Sequence, residues 1–383
     1  MDNAWKTRVQ RVEKGMREEA AICSLLPLVA GQAERLYNTE RVDRRWSKGQ
    51  RVMSSRFSEM RIFSGSGNPA LAQAIADRLG VTLGDITLTK FPNDNIFARL
   101  NESVREKDVF VVQSLSSPLS DRIMELLIML DACRRAAAGR VTAVIPFYAY
   151  GRTDKRDQPR VPITARLLAD MIQAAGAQQI ITIDLHAGQI QGFFSIPVDE
   201  LSAMPLTVRH FAARRNDRDY TVVAPDMGFA KRARNFAEKL GAPLAIVEKR
   251  HLHEIQPTSE NERHVEALNI IGDVVDRDCL LVDDEVATGN SLVVAAELLV
   301  ARGARSVSAC VVHPILAGQA LNRIAASPIR EFVTTDTLPV GDLSAHPQVT
   351  VLSVSTLLAE VMQRIHSGIS VDSMNLFHRT GRR

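Results

Sequence analysis

The stretch "LLVDDEVATGNSLVVAAELL", residues 280–299, decides how this chain folds. It joins an apolar run to two adjacent acids, a Thr288-Gly289-Asn290-Ser291 turn and a second apolar pattern at helical spacing. The first run reads as a buried strand, "CLLV", with the acids at its C-terminal end; the last part reads as a helix. In open α/β sheets, ligands bind at the carboxyl edge of the strands. Backbone N–H groups in a turn at a helix N-terminus form an anion site. Thr288 and Ser291 add hydroxyl donors, and Gly289 lets the backbone approach an oxyanion closely. Asp283 and Asp284 suit the vicinal hydroxyls of a sugar, or a magnesium ion. Phosphate and diol together describe a ribose phosphate. The same residues also read as a helix cap beside a solvated acidic pair, and alone they leave both readings open.

Outward from this stretch the chain alternates. Apolar runs "RIFSG", "ITLTKF", "DVFVVQS", "VTAVIPFYAY" and "QIITIDLH" read as buried strands. Between them lie the helical patterns "NPALAQAIADRLG", "SDRIMELLIMLDACRRAAAG" and "ITARLLADMIQAAGA". The alternation restarts with "YTVVAPD", "MGFAKRARNFAEKLGA", "PLAIVEK", "CLLVDDE", "NSLVVAAELLVARGA" and "SVSACVVHPIL". This implies an α/β fold of two similar domains, each a mainly parallel sheet flanked by helices, with a boundary near residue 202. Residues 1–58 differ. Trp5, Val9, Val12 and Met16 recur at helical spacing before a basic stretch, so a helical N-terminal extension is expected. The polar run 249–266 reads as a mobile loop of the kind that is often functional.

Bulk properties exclude several classes. At 383 residues, 45% apolar and 24% charged, the chain is expected to be a soluble protein of at least two domains. A net charge of +3 forces no nucleic-acid partner. No apolar run reaches 18 residues, so no membrane partner is expected. Cys133, Cys279 and Cys310 sit in apolar contexts, as buried thiols in a reducing compartment do; Cys23 is the fourth cysteine. Glu13, Glu18 and Glu19 argue against an organellar transit peptide, leaving a cytoplasmic expectation.

Several long segments resemble the ribose-phosphate pyrophosphokinases (PRPP synthetases), in order and at matching spacing over about residues 60–365. They are "ESVREKDVFVVQS", "MELLIMLDACRRAAAGRVTAVIPFYAYGRTDKRD", "VPITARLLADMIQAAGA", "ITIDLHAGQIQGFFSIPVDEL", "NIIGDV" and the 280–299 stretch. The resemblance implies two tandem phosphoribosyltransferase-like domains. Residues 59–201 would form the ATP side and 202–342 the ribose-phosphate side. Residues 343–383 would pack back on the first domain and end in a basic tail. It implies transfer of a pyrophosphoryl group from MgATP to the 1-hydroxyl of ribose 5-phosphate, giving PRPP and AMP. It also implies a homo-oligomer, dimers or a hexamer, because the family's ATP site is shared between subunits.

Carried over residue by residue, Phe91, Asn93 and Asn95 in "KFPNDNIF" would hold the adenine of ATP, and Arg152 and Asp157 in "YGRTDKRD" its other groups. His186 and Asp226 would bind magnesium. Lys249 would be the catalytic lysine, assisted by Arg250. Asp283, Asp284, Thr288, Gly289, Asn290 and Ser291 would bind the ribose phosphate.

The chain departs from the family pattern at Asn95, Thr153, Phe229, His251, Ala287 and Asn290. Ala287 stands where the family has a third acid, and in an extended turn Glu285 would point elsewhere rather than replace it. Three readings follow: a PRPP synthetase with compensating contacts, a pyrophosphokinase for another ribosyl acceptor such as ADP-ribose, or an inactive paralogue that restrains a true synthetase. Retention of Lys249, Arg152, Asp157, His186, Asp226, Asp283 and Asp284 favours an active enzyme. A phosphoribosyltransferase would explain residues 280–299 but not the ATP-side segments. A non-enzymatic nucleotide-binding module would not explain Lys249.

Overall fold

The computed structural model describes residue 57 and residues 59–214, 219–249 and 267–371. The expected helical extension, Arg250, His251, the rest of the expected loop and the basic tail all lie outside the described residues.

The first half contains β1 (Met60–Ser64), α1 (Pro69–Leu79), β2 (Ile86–Lys90), β3 (Ile96–Leu100), β4 (Asp108–Val112), α2 (Leu119–Arg135), β5 (Arg140–Ile145), α3 (Thr164–Ala175), β6 (Gln179–Ile183) and β7 (Val198–Leu201). Five of its strands form a parallel sheet in the order β1-β4-β5-β6-β7. Every residue of β4 is buried, as expected of a strand covered on both faces. Pro69 opens α1 after Asn68, whose side chain accepts a hydrogen bond from the Leu71 N–H.

The sequence reading placed "ITLTKF" in the parallel sheet. The structure corrects this: β2 pairs antiparallel with β3 as a separate hairpin. Its alternation of apolar and polar residues fits a one-faced ribbon, and Ile86, Leu88, Ala98 and Leu100 pack on the first core.

The second half contains α4 (Met204–Ala212), β8 (Tyr220–Ala224), α5 (Ala230–Leu240), β9 (Leu244–Lys249), β10 (Ala267–Ile271), β11 (Asp278–Val286), α6 (Asn290–Ala301), β12 (Ser306–Pro314), α7 (Ala320–Ala325), β13 (Ile329–Thr335), β14 (Val349–Leu352) and α8 (Ser355–His366). Its seven strands run in the order β10-β9-β8-β11-β12-β13-β14, and β10 alone is antiparallel to its neighbour.

Each of the two larger sheets is covered on both faces by apolar clusters. One cluster joins the first and last of the described elements: Leu358, Val361, Met362 and Ile365 of α8 pack with Ile62, Ile75, Phe110 and Val144. The buried Asp108 fixes this helix further, accepting from Arg140 Nε at 2.8 Å and lying 2.9 Å from His366 Nδ1. The two sheets also meet directly. The buried His313 imidazole on β12 lies 3.1 Å from the Ile183 carbonyl through Nε2 and 3.0 Å from Thr337 Oγ1 through Nδ1. Burial holds it neutral, with its pKa lowered to about 4. Ser114 Oγ donates to the Thr337 carbonyl at 2.8 Å.

Candidate active site

The strand under the acidic pair is longer than the sequence reading allowed. β11 continues through Val286, so Asp283 and Asp284 lie within it and not at its end. Pairing with β12 extends it: Asp283 aligns with Val311 and Glu285 with His313. The turn that follows is braced from outside, because the Val286 and Ala287 carbonyls accept from the N–H groups of Leu316 and Ala317, at 3.1 and 2.9 Å. The Arg323 guanidinium donates to the Thr288 carbonyl. Gly289 caps α6 with φ +79°, a left-handed conformation, and a Cβ there would lie 3.3 Å from Ile324. Glycine meets both demands at no steric cost. Thr288, Asn290 and Ser291 are exposed around a helix start that has no side-chain cap.

The acidic pair is the meeting point of the two halves. Asp284 is buried, and its Oδ2 lies 2.7 Å from His186 Nδ1. His186 was expected to end a strand; it lies three residues beyond β6, in the connection to a short 3-10 turn at Gly188–Phe193. The Arg232 guanidinium, from α5, also reaches Asp284 Oδ2 at 3.4 Å. It donates to the carbonyls of Leu185 and of His186, the latter at 3.0 Å. Burial works against ionisation of Asp284, but the His186 hydrogen bond and the Arg232 charge outweigh it and hold its pKa below the usual carboxylate range. The same contact raises the His186 pKa against partial burial. Asp283 behaves oppositely: burial and the neighbouring Asp284 charge push it well above its ordinary value. Adjacent carboxylates therefore differ in their readiness to hold a proton.

Glu285 follows the acidic pair and is 8% exposed. It does not take the place of the acid absent at Ala287; its carboxylate pairs with Arg152 in the loop after β5. Burial raises the Glu285 pKa and the Arg152 charge opposes the rise. Asp226 lies after β8, where its Oδ1 accepts from the Phe229 N–H at 3.0 Å. The charge of Asp226 acts on Asp283, so it belongs to the same cluster.

Arg152, His186, Asp226, Asp283 and Asp284 thus come together, with the 288–291 turn following directly on β11. Asp157 is exposed on the loop beyond Arg152. Phe91, Asn93 and Asn95 sit apart from this cluster, at the exposed tip of the β2–β3 hairpin, where Phe91 is 46% exposed and rests on Phe97 at 5.9 Å. Lys249 ends β9. Arg232 was missed by sequence reasoning because a basic residue on an amphipathic helix ordinarily faces water. Glu285 carried one signal: an acid following two others in a strand flanked by apolar residues.

Residues 60–176 match a family model described as the N-terminal domain of ribose phosphate pyrophosphokinase. Residues 250–379 match a phosphoribosyl synthetase-associated domain. A ribose-phosphate pyrophosphokinase of Clostridium acetobutylicum is 46% identical over 316 residues, 82% of this chain and 97% of that one. The chloroplastic ribose-phosphate pyrophosphokinase 2 of Arabidopsis thaliana is 42% identical over 86% of this chain and 81% of its own. The crystal structure of phosphoribosylpyrophosphate synthetase from Mycobacterium smegmatis superposes with a TM-score of 0.76 at 38% identity, covering 81% of this chain and 100% of that one.

Proposed function

Because the chain belongs to the ribose-phosphate pyrophosphokinase family, we propose that the cluster around Asp284 joins an ATP half-site to a ribose-phosphate half-site. The chain is an enzyme that makes PRPP from ribose 5-phosphate and ATP. The observation that carries the site proposal is the His186–Asp284 contact, which ties a loop of the first half to a strand of the second.

In this reading residues 59–201 present ATP and residues 202–342 present the sugar. Arg152 grips triphosphate oxygens with its planar fork, and Asp157 takes a hydroxyl or amino donor. The 5-phosphate sits in the 288–291 turn on the N–H groups of α6, with the Thr288 and Ser291 hydroxyls and Asn290 around it. The ionised Asp284 and the more readily protonated Asp283 hold the ribose hydroxyls. Alignment of the 1-hydroxyl with the β-phosphorus makes the transfer effectively unimolecular. Lys249, with Arg250 beyond it, neutralises charge that develops as AMP leaves.

Magnesium needs only one or two protein ligands beside substrate phosphates and water. No group of three or more His, Cys, Asp or Glu placed to hold a metal occurs among the described residues. His186 with Asp226 supplies the smaller number: Asp284 engages Nδ1, which leaves Nε2 for a ligand, and the backbone contact of Asp226 uses one oxygen. A bound magnesium ion would screen and polarise the phosphates. Phe91, Asn93 and Asn95, exposed on a hairpin tip, are assigned to the adenine of ATP bound at a neighbouring copy, within a homo-oligomer of dimers or a hexamer. No described helix is long and apolar enough to cross a membrane, and we assign the enzyme to the cytoplasm.

The deciding experiment measures AMP from MgATP with purified protein and ribose 5-phosphate, ADP-ribose or no acceptor. AMP and PRPP with ribose 5-phosphate alone is the expected result. AMP with ADP-ribose alone would move the acceptor, and no AMP with either would make the chain a regulatory paralogue.

A further inference from the structure

The ion pair between Arg152 and Glu285 crosses from the first half of the molecule to the second. Its two ends are unequal. Glu285 is 8% exposed and fixed in β11, whereas the Arg152 side chain is 57% exposed. The contact is made through Arg152 Nε. A guanidinium anchored at Nε keeps its outer edge, the two terminal NH2 groups, free for a second, bidentate partner. The loop that carries Arg152 is itself held close: a Cβ on Gly151 would lie 3.1 Å from the His186 Cβ, so its backbone packs on the His186 side chain. A buried carboxylate deprived of its partner is costly, so Glu285 has reason to retain Arg152.

We propose that Glu285 is a positioning residue for ATP: by holding Arg152 at Nε it fixes the guanidinium in the orientation that receives the triphosphate. The proposal rests on the reading of Arg152 as a triphosphate ligand. The physical gain is preorganisation. An arginine side chain carries substantial rotamer entropy, and Glu285 removes that freedom before ATP arrives. The carboxylate comes from the strand that also carries Asp283 and Asp284, so the sugar half sets the geometry of the ATP half.

The test compares Arg152→Ala, Glu285→Gln, Glu285→Met and the Arg152→Ala/Glu285→Met double variant, each checked by thermal melting. Methionine fills the space of glutamate without its charge or acceptor, and glutamine keeps the acceptor. Glu285→Met is expected to raise the KM for ATP about tenfold, the worth of one immobilised side chain, with kcat and the KM for ribose 5-phosphate near wild type. Glu285→Gln should stay close to wild type, and the double variant should be no worse than Arg152→Ala alone. An unchanged or lowered KM for ATP in Glu285→Met, beside a raised one in Arg152→Ala, overturns the positioning role and leaves Arg152 a ligand. An unchanged KM in Arg152→Ala overturns both. Independently of any Glu285 variant, the Arg152 Nε–H of the ATP-free wild type, assigned by its loss in Arg152→Ala, should exchange slowly in NMR. Fast exchange there would overturn the proposal too.

Discussion

His186 Nδ1 lies 2.7 Å from Asp284 Oδ2, a contact between residues 98 positions apart. It orients the imidazole and leaves Nε2 outward, the arrangement by which a carboxylate fixes a histidine ligand. Asp284→Asn removes the charge and keeps the size. The expected loss is about 10–100-fold in activity, with more magnesium needed for half-maximal rate. Initial rates across a magnesium series check this, and a wild-type magnesium dependence would remove Asp284 from that role.

Ala287 stands in the braced turn where the family pattern has an acid, and Glu285 is committed to Arg152. Restoring the acid with Ala287→Asp should tighten ribose 5-phosphate binding about tenfold, the worth of one added hydrogen bond to a charged group. Calorimetric titration reads this directly. Equal or weaker affinity would mean that the turn has settled on another solution.

Lys249 ends β9. If it neutralises the leaving charge, Lys249→Ala should lower kcat by about 10²–10³-fold while ATP still binds. Single-turnover AMP release, paired with equilibrium ATP binding, separates the two effects. A near-normal rate sinks the assignment.

Asp108 is fully buried between Arg140 and His366. Burial disfavours its charge, but the His366 and Arg140 hydrogen bonds outweigh burial, and its pKa falls below the ordinary value. Its contribution to stability is therefore complete above the unfolded pKa of about 3.9 and is lost as pH falls through the folded value. Asp108→Asn should cost roughly 3–5 kcal/mol near neutrality, as breaking a buried pair does. Denaturant unfolding at pH 7 and below pH 4 should show this gap narrowing with acid. A gap independent of pH would assign the loss to packing.

Much of the fold was legible because buried parallel strands and amphipathic helices leave periodic traces, as in "DVFVVQS" and "ITARLLADMIQAAGA". The hairpin of β2 and β3 was not, since a short apolar run does not say which sheet receives it. The extent of β11 was hidden for a related reason. Asp283, Asp284 and Glu285 look like the end of a strand, and only β12 beside them keeps the backbone extended. The residues around the acidic pair could be named from motifs, but the pairing partners could not. Arg152 with Glu285, and Arg232 with Asp284, are long-range ion pairs with no local periodicity.

The cover that α8 places on the first sheet has a consequence for how the protein is made. All five strands of that sheet have been translated by Leu201, yet one of its apolar faces waits for residues 355–366. A nascent chain carries Ile62, Phe110 and Val144 with α1 in place but without the cover of α8 while the second half is synthesised. Completion of the first lobe therefore waits until α8 has been made, and a ribosome that stops before Ser355 leaves part of that apolar face uncovered.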